Sequence, residues 1–244
     1  MNKEQIKEFL DEILPWRVRK LMKKILLRGV NASLTKKKVK NLLQKNDPII
    51  LEIGANNGID TREFLDTFEN LKIYCFEPDL RAIAKFKKRV KDPRCKLFRF
   101  AISNKNGKTT FYLSGGGKMK EGWDLSSSIK KPKKHLEINS EITFDKKMEI
   151  KTKKLDTWVK ENEIPLIDFI WADVQGAERE LIEGGKETLN KKTRYFYTEF
   201  SNEELYEDQP TLDEICRLLP NFKIIKIFGD DVLLENTKLV NLKK

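Results

Sequence analysis

Short apolar runs recur along the chain and alternate with stretches that have helical spacing. The runs cover residues 49–53, 71–76, 96–101, 166–173 and 193–200. Helical spacing is found at residues 34–44, 79–90, 155–161 and 212–219. Continuous apolar runs of this length are typical of strands that are buried on both faces of a parallel sheet. The alternation therefore predicts an α/β fold.

Two further apolar stretches lie near the C-terminus. Residues 222–228 and 232–235 flank the turn sequence Gly229-Asp230-Asp231 and predict an antiparallel hairpin. With the five runs, the hairpin gives a Rossmann-like, seven-stranded sheet that is mostly parallel and has an antiparallel C-terminal hairpin. An additional strand is predicted at residues 109–113, after the turn signal Asn106-Gly107.

The N-terminal residues carry a different pattern. Apolar positions at helical spacing predict amphipathic helices at residues 2–14 and 16–28, which Pro15 separates, before the helix at residues 34–44. We predict that residues 1–46 form a basic helical extension and that residues 47–244 form the main domain.

The net charge of +11 is distributed unevenly over the 244 residues. Residues 1–46 contain thirteen Lys and Arg against four Asp and Glu, a net charge of +9. Residues 155–244 contain twelve against nineteen, a net charge of −7. The asymmetry predicts a molecule whose N-terminal side approaches an anionic partner. The alternative is that the lysines serve solubility alone.

Residues 16–28 combine a tryptophan with apolar and basic positions and contain no acidic residue. Such a helix can lie on an anionic membrane surface, although more often it packs against its own domain. The chain has no uninterrupted apolar run of membrane-spanning length and no signal-peptide pattern. We expect a cytoplasmic protein, with peripheral membrane contact through residues 16–28 as an alternative.

Cysteine and histidine usage gives little sign of metal chemistry. The three cysteines, Cys75, Cys95 and Cys216, are far apart in sequence, and His135 is the only histidine. Two of the cysteines lie in predicted strands and are expected to be reduced core residues. Metal-ligand spacing is absent, so no zinc site is predicted, and a divalent metal is an open alternative that the sequence does not indicate.

A long stretch without clear periodicity follows the strand at residues 109–113. It covers residues 114–147 and contains Gly115-Gly116-Gly117, Trp123 and Ser126-Ser127-Ser128. Connections of this length are usually functional loops or mobile segments. We interpret this region as a lid on the substrate side of the molecule, with disorder as the competing interpretation.

The first candidate for chemistry is the loop that follows the strand at residues 49–53. Gly54 and Gly58 allow a sharp turn and a close backbone approach to a ligand, and Asp60 with Glu63 has the spacing of a helix capping box. Glu77 ends the next predicted strand, nineteen positions after Gly58. In a βαβ unit, an acidic residue at this place can accept hydrogen bonds from ribose hydroxyls. The two features together predict a nucleoside site.

Two more acidic residues lie at predicted strand ends. Asp173 follows the strand at residues 166–173, and Glu199 lies near the end of the strand at residues 193–200. Open α/β sheets bind their ligands at the carboxyl ends of the strands, so both carboxylates are expected near the nucleoside.

These motifs together resemble the FkbM family of S-adenosylmethionine-dependent methyltransferases over roughly residues 48–236. The matching motifs are residues 51–58 (LEIGANNG), 76–78 (FEP), 101–104 (AISN) with Gly107, 155–157 (LDT), 167–170 (IDFI), 173–178 (DVQGAE) and 199–200 (EF). The chain departs from the family at Trp171-Ala172, where a lysine and an aliphatic residue are common, and at Gln175, where glutamate is usual.

The resemblance implies S-adenosylmethionine as cofactor and methyl transfer to a hydroxyl, commonly of a sugar or a glycan-like natural product. It implies that residues 54–58 hold the amino-acid portion of the cofactor, that Glu77 holds its ribose and that residues 101–103 flank its adenine. The full set of implied cofactor-binding residues is Glu52, Gly54, Ala55, Asn56, Asn57, Gly58, Asp60, Thr61, Glu77, Pro78, Ala101, Ile102, Ser103 and Asp173.

A hydroxyl acceptor must lose its proton, so a nearby base or a metal-bound carboxylate is expected. Asp173 is the first candidate for this catalytic role, followed by Glu199 and His135.

Two other functions remain open from the sequence. A nicotinamide-dependent dehydrogenase shares the strand, the loop and the ribose acid, but it expects a G-x-G-x-x-G loop, whereas residues 54–58 read GANNG. An RNA methyltransferase or RNA-binding module would use the basic N-terminal side. Such proteins usually place aromatic residues among the basic ones, and here only Phe9 and Trp16 are available.

Overall fold

Over the residues that the structure describes, the fold is built on ten strands and the helices that connect them. We analysed a computed structural model of the chain, which describes residues 33–116, 123–138 and 141–240. The helices predicted at residues 2–14 and 16–28 lie outside the described residues. The strands are β1 (Ile49–Ile53), β2 (Lys72–Phe76), β3 (Cys95–Phe98), β4 (Ala101–Ile102), β5 (Gly107–Gly116), β6 (Ile142–Lys153), β7 (Ile167–Ala172), β8 (Thr193–Glu199), β9 (Phe222–Phe228) and β10 (Asp231–Asn236).

The helices of the described residues lie between these strands. They are α1 (Lys36–Leu43), α2 (Ile59–Thr67), α3 (Leu80–Arg89), α4 (His135–Ile138), α5 (Leu155–Glu161), α6 (Glu178–Gly184), α7 (Lys186–Lys192), α8 (Leu212–Leu218) and α9 (Thr237–Val240). In the part of the chain that the structure describes, no helix is both long enough and apolar enough to cross a bilayer.

Seven strands form one sheet in the order β3-β2-β1-β7-β8-β10-β9. Strands β3, β2, β1, β7 and β8 run parallel to one another. Strand β10 runs antiparallel to both β8 and β9. The predicted Rossmann-like sheet with an antiparallel C-terminal hairpin is therefore confirmed.

Apolar side chains cover both faces of this sheet. Along β1, Leu51 and Ile53 belong to one core cluster with Trp158, and Ile50 belongs to the opposite cluster with Phe64. The alternation follows from the two-residue repeat of a strand. Because both faces of the central strands are buried in these clusters, those strands offer a ligand only their ends, where polar side chains are tolerated.

Helix α1 packs against the sheet and α2, although its sequence belongs to the basic extension. Val39 and Leu43 are buried in the same core cluster as Ile50. The Lys36 ammonium is buried, pairs with Asp60 and lies 3.2 Å from the centre of the Trp171 ring. This helix is thus held by apolar contacts and by a cation that ring faces and a carboxylate stabilise.

The strand predicted at residues 96–101 is divided between two sheets, so that prediction was wrong in detail. Strand β3 ends at Phe98, and β4 joins β5 and β6 in a second, three-stranded sheet of order β4-β6-β5. The division arises because Ala101 and Ile102 pair with Thr152 and Lys153 of β6. Such long-range pairing leaves no local sequence signal.

The capping box predicted from Asp60 and Glu63 is also absent. Helix α2 begins after Gly58, which adopts a left-handed conformation with φ of 76° and makes no side-chain cap. A complete capping box is found at α8, where Thr211 and Glu214 bond each other's backbone N–H groups.

The region predicted to be irregular, residues 114–147, is partly regular. Strand β5 extends to Gly116, and β6 begins at Ile142 and runs antiparallel to it. Between them, residues 123–134 form a loop that lies against the sheet edge, followed by the short helix α4. Tyr112 and Ser128 pair through two backbone hydrogen bonds of 2.7 and 3.1 Å, which fix this loop beside β5.

Candidate active site

A cavity opens at the carboxyl edge of the large sheet. Its empty space, including the part open to solvent, amounts to about 630 Å³. The lining residues come from four strand ends and from the loop after β5; they are Ile53, Gly54, Asn56, Phe76, Glu77, Pro78, Ala101, Ile102, Phe111, Asp124, Leu125, Ser127, Ile129, Asp173, Val174, Gln175 and Ala177. The site therefore lies where parallel α/β sheets are expected to bind ligands.

The loop after β1 is tied to both neighbouring strands. The backbone N–H groups of Gly54 and Ala55 both donate to the Phe76 carbonyl, at 3.0 Å each. On the other side, the Asp173 N–H donates to the Ile53 carbonyl at 2.9 Å. Gly54 has a φ of 87°, a conformation that favours glycine. These contacts fix the floor of the cavity.

Glu77 presents a buried carboxyl group to the cavity. One of its oxygens accepts the N–H of Asn56 at 2.8 Å, and the other accepts the N–H of Asp79 at 2.7 Å. Burial raises the pKa of Glu77 to about 8, against the lowering effect of these two hydrogen bonds. The carboxyl group can accept a hydrogen bond from a ligand hydroxyl and, in its protonated form, can also donate one.

The roof of the cavity is a short segment, residues 123–128, which we call the strap. The Ser114 hydroxyl donates to the Trp123 carbonyl at 3.0 Å and accepts the Ser126 N–H at 3.2 Å. The Trp123 indole N–H donates to the Ser126 hydroxyl at 2.8 Å. These bonds attach the strap to the end of β5.

The strap also contributes the carboxylate of Asp124. This side chain is buried and pairs with Lys85 of α3 at 3.0 Å. Its backbone carbonyl accepts the Asn56 side-chain amide at 3.2 Å. The strap is therefore joined to the loop after β1 as well as to α3, and it brings a third carboxyl group to a cavity that Glu77 and Asp173 already line.

Beside the cavity, Gln175 connects the ends of β7 and β8. Its side-chain amide donates to Asp173 Oδ1 and, at 3.4 Å, to Glu199 Oε2. Its Oε1 accepts the Tyr206 hydroxyl at 3.2 Å, and the same hydroxyl donates to the Ser126 carbonyl at 2.8 Å. This polar group extends from the cavity to the strap.

His135 lies behind this polar group. Its ring is buried between Phe144 and Tyr206, with ring centres 5.3 and 5.4 Å away. Burial lowers the pKa of His135, so the imidazole is neutral at physiological pH. Its contacts are with the ring that supports Gln175, and it does not line the cavity.

The structure brings together part of the residue set that was predicted from the sequence. The predicted residues that line the cavity are Gly54, Asn56, Glu77, Pro78, Ala101, Ile102 and Asp173. The predicted residues outside the lining are Glu52, Ala55, Asn57, Gly58, Asp60, Thr61, Ser103, Glu199 and His135. The ligand roles of both groups stay predictions.

Glu52 illustrates why some of these residues face elsewhere. Its carboxyl group accepts the Thr61 hydroxyl at 2.5 Å and lies 3.6 Å from the Cys75 sulfur. Burial raises the pKa of Glu52 to about 8. On β1, Glu52 points to the opposite face from Ile53, which does line the cavity.

Several lining residues were not singled out from the sequence. Asp124, Leu125, Ser127 and Ile129 belong to the loop that was interpreted as a lid, but no periodicity marked any of them individually. Phe111 was part of a predicted strand and had no assigned role. Gln175 was noted only as a departure from the family pattern, and its position between two carboxylates depends on the pairing of β7 with β8.

The lining has a chemical character that distinguishes between cofactors. It contains the carboxyl groups of Glu77, Asp124 and Asp173, and none of the described residues in it is a lysine, arginine or histidine. S-adenosylmethionine carries positive charge on its sulfur and its amino group, which such a lining suits. The pyrophosphate of a dinucleotide would lack a basic partner there. The residues present thus fit S-adenosylmethionine better than a nicotinamide cofactor.

Among the described residues, no group of three or more His, Cys, Asp or Glu side chains is arranged to hold a metal ion.

The strand order, the antiparallel hairpin and the carboxyl-lined cavity at the sheet edge define the chain as a Rossmann-like methyltransferase. It belongs to the FkbM methyltransferase family, since the model of the Methyltransferase FkbM domain matches residues 52–224. A relative, 2-O-methyltransferase NoeI of Sinorhizobium fredii (strain NBRC 101917 / NGR234), is 46% identical over 208 residues. The match covers 83% of this chain and 85% of that protein.

Solved structures with a related fold are much more distant in sequence. The N-terminal domain of human METTL16 in complex with SAH is 12% identical, with a TM-score of 0.44, and the match covers 81% of this chain and 66% of that one. An rRNA methylase from Streptococcus thermophilus is 13% identical, with a TM-score of 0.44 and coverages of 81% and 93%.

The family membership confirms the resemblance found in the sequence motifs. The chain is an S-adenosylmethionine-dependent O-methyltransferase.

Proposed function

We propose that the methyl acceptor is a hydroxyl group of a sugar or a related glycan-like molecule, and that Asp173 accepts its proton. The observation that carries this proposal is the position of the Asp173 carboxylate, which lines the donor cavity and is joined through Gln175 to Glu199 on the next strand. Carboxylates are strong acceptors for hydroxyl groups, and here they come from two rigid strand ends.

The cavity lining supports the following assignment of the donor side of the site. Glu77 would bond the ribose hydroxyls, the loop from Gly54 to Asn56 would hold the amino-acid portion, and Ala101 with Ile102 would pack against the adenine. When bound, S-adenosylmethionine supplies a methyl group that its positive sulfur makes reactive toward an oxygen nucleophile. The contribution of the protein is then mainly positioning and the exclusion of water, which the strap favours by covering the cavity.

The acceptor hydroxyl needs a base because an alcohol is a weak nucleophile. In the proposed step, the acceptor oxygen forms its bond to the methyl carbon while its proton passes to an Asp173 carboxylate oxygen. The bond between methyl carbon and sulfur breaks, and its electron pair stays on sulfur. General base catalysis of this kind typically contributes a factor of about 10²–10⁴ to the rate.

The class of acceptor is supported by the relative and by the polarity of the site. The relative is named a 2-O-methyltransferase, which specifies transfer to one numbered oxygen. A ring with several hydroxyls would suit the neighbouring Glu199 and Gln175, since both can bond hydroxyls beside the reacting one. A polyanionic RNA would meet carboxyl groups at the mouth of this cavity, although the basic residues of the N-terminal segment keep that acceptor worth testing.

The test is methyl transfer to a panel of acceptors of different chemistry. The purified chain and S-adenosylmethionine would be incubated with methyl glycosides of common hexoses, an RNA hairpin or catechol, and products identified by mass spectrometry and NMR. We expect the product to be a methyl ether on a ring hydroxyl. The Asp173→Asn variant should form it at least about 100-fold more slowly than the native protein. Asp66→Asn, which changes an exposed aspartate on α2, serves as control and should keep full activity. Transfer confined to RNA or catechol would overturn the carbohydrate assignment.

A further inference from the structure

The side chain of Gln175 lies between two carboxylates that come from adjacent parallel strands. Ala172 of β7 pairs with Thr198 of β8, so the next residues in register are Asp173 and Glu199. Neighbouring strands lie about 4.8 Å apart, which places two negative charges close together at the edge of the cavity. Two carboxylates at such a distance normally raise each other's pKa, and one of them tends to hold a proton.

The Gln175 amide separates these charges with its two N–H groups. One bond goes to Asp173 Oδ1, and a longer one of 3.4 Å goes to Glu199 Oε2. Donors to a carboxylate stabilise its ionised form. The opposite orientation of the amide would place its oxygen against the Asp173 carboxylate, so the donor orientation is the one that electrostatics favours.

Gln175 is itself held both at its backbone and at its side chain. Its backbone has a φ of 52°, a left-handed conformation that is uncommon for a residue with a side chain. The Ser128 hydroxyl donates to its backbone carbonyl at 2.6 Å, and the Tyr206 hydroxyl contacts its side-chain oxygen at 3.2 Å. Gly176 follows with a φ of 88° and lies under Tyr206, where an added Cβ would come within 2.8 Å of that side chain. Backbone strain of this kind persists only where the surroundings enforce it.

Other titratable groups face the same pair. Glu178 of α6 is fully buried, and burial raises its pKa to about 8, so it is mainly neutral at pH 7. Tyr206 faces Asp173, Glu199 and Glu178, and burial raises its pKa well above the usual range, so it is also neutral. Neither group supplies a positive charge, and the amide of Gln175 is a hydrogen-bond donor that contacts both carboxylates.

We propose that Gln175 is a positioning residue that holds Asp173 beside Glu199 as an anion, ready to accept the proton of the acceptor hydroxyl. The inference rests on the proposed role of Asp173 and adds the residue through which that role is maintained. A neutral amide suits this task because it adds two donors without a third negative charge. A glutamate at position 175 would add a third negative charge beside Asp173 and Glu199, and the three carboxyl groups would then tend to hold a proton between them.

The test is a pH titration of the Asp173 carboxyl group, which requires no acceptor. Side-chain carboxyl carbons would be followed by ¹³C NMR in the protein bound to S-adenosylhomocysteine, with Asp173→Asn used to assign the signal. We expect Gln175→Leu and Gln175→Glu to raise the apparent pKa of Asp173 by about one unit or more, a tenfold change in proton affinity. The matched control is Gln209→Leu, a glutamine outside the cavity lining, which should leave the titration unchanged.

A second variant keeps the test decisive if Gln175→Leu does not fold. Tyr206→Phe removes the hydroxyl that contacts Gln175 while keeping the ring over Gly176, and it should shift the Asp173 titration in the same direction by a smaller amount. An unchanged titration in folded Gln175→Glu and Tyr206→Phe overturns the proposal. The activity assay tests the proposed function independently. If the Asp173 titration shifts as expected but Asp173→Asn keeps full activity, Gln175 does position Asp173, and the proposed role of Asp173 as the base is refuted.

Discussion

Gly54 lies directly against the backbone of Asp173. A Cβ atom added to Gly54 would be 1.8 Å from the Asp173 carbonyl oxygen and 2.8 Å from its carbonyl carbon. The loop after β1 and the end of β7 therefore pack together without room for a single methyl group. The same contact places the Asp173 carboxylate beside the floor of the cavity.

We predict that Gly54→Ala disrupts this contact and destabilises the domain. The substitution adds a steric clash with β7 to the cost of a left-handed alanine, which is about 1–2 kcal/mol. Gly229→Ala is a matched control, because Gly229 has a similar φ of 72° but no atom within 4 Å of an added Cβ. We expect the free energy of unfolding in urea to fall about 3 kcal/mol further for Gly54→Ala than for Gly229→Ala. Equal losses of unfolding free energy in the two variants would contradict the prediction, because they would show that β7 can move to accommodate the methyl group at Gly54.

Glu77 should determine how the protein recognises the ribose of the donor. Replacing it with alanine removes a buried group that can bond two hydroxyls, and we expect the affinity for S-adenosylhomocysteine to fall about 100-fold by calorimetry. The sharper comparison uses the 2′-deoxyribose analogue of the same ligand. The native protein should bind this analogue more weakly than the parent compound, whereas Glu77→Ala should bind both equally. A preference for the parent that persists in the variant would assign the ribose to another residue.

The buried glutamate on the other face of β1 should make stability depend on pH. The pKa of Glu52 in the folded chain is about 8, above its ordinary value of 4.5, because burial disfavours the charge. The contribution of protonated Glu52 to the free energy of unfolding is therefore complete below pH 4.5 and is lost as the pH rises toward 8. Glu52→Gln keeps an acceptor for Thr61 and removes the titration, so its stability relative to the native protein should rise by up to about 4 kcal/mol between pH 5 and pH 8.

Urea unfolding at pH 5, 6.5 and 8 measures this difference. Glu63→Gln provides the control, since Glu63 is exposed on α2 and its replacement should leave the pH profile unchanged. A stability difference between Glu52→Gln and the native protein that is constant over the three pH values would show that Glu52 does not titrate in this range.

The sheet could be predicted from the sequence because each strand carries its own signal. Seven apolar runs and a turn sequence predicted the strands of the large sheet, and Gly54 and Glu77, which were singled out together, both line the cavity. The two-residue strand β4 could not be found, since Ala101 and Ile102 become a strand only through β6, about fifty residues later. Long-range pairing of this kind has no local pattern.

The candidate site was predictable only where it coincides with strand ends. Asp124 reaches the cavity because Lys85 and Asn56 hold the strap, and both partners are distant in sequence. Lys36 was assigned to a basic extension, yet it is buried against Trp171 and Asp60. A charge count treats every lysine as solvated. It therefore cannot identify a lysine such as Lys36, which is buried against an aromatic ring and paired with a carboxylate.

The attachment of the strap to β5 should affect how tightly the donor is bound. The Ser114 hydroxyl makes three hydrogen bonds with strap residues, to Trp123, Ser126 and Ser127, and each such bond is worth about 1 kcal/mol. If the strap must be closed for the donor to be held, Ser114→Ala should weaken S-adenosylhomocysteine binding about tenfold by calorimetry. Thr67→Ala is the control, because it removes a hydroxyl that also bonds a backbone carbonyl, at 2.7 Å, on the exposed end of α2. A loss of thermal stability in Ser114→Ala without a loss of affinity would separate the strap from donor binding, and would leave the cavity floor as the main determinant of affinity.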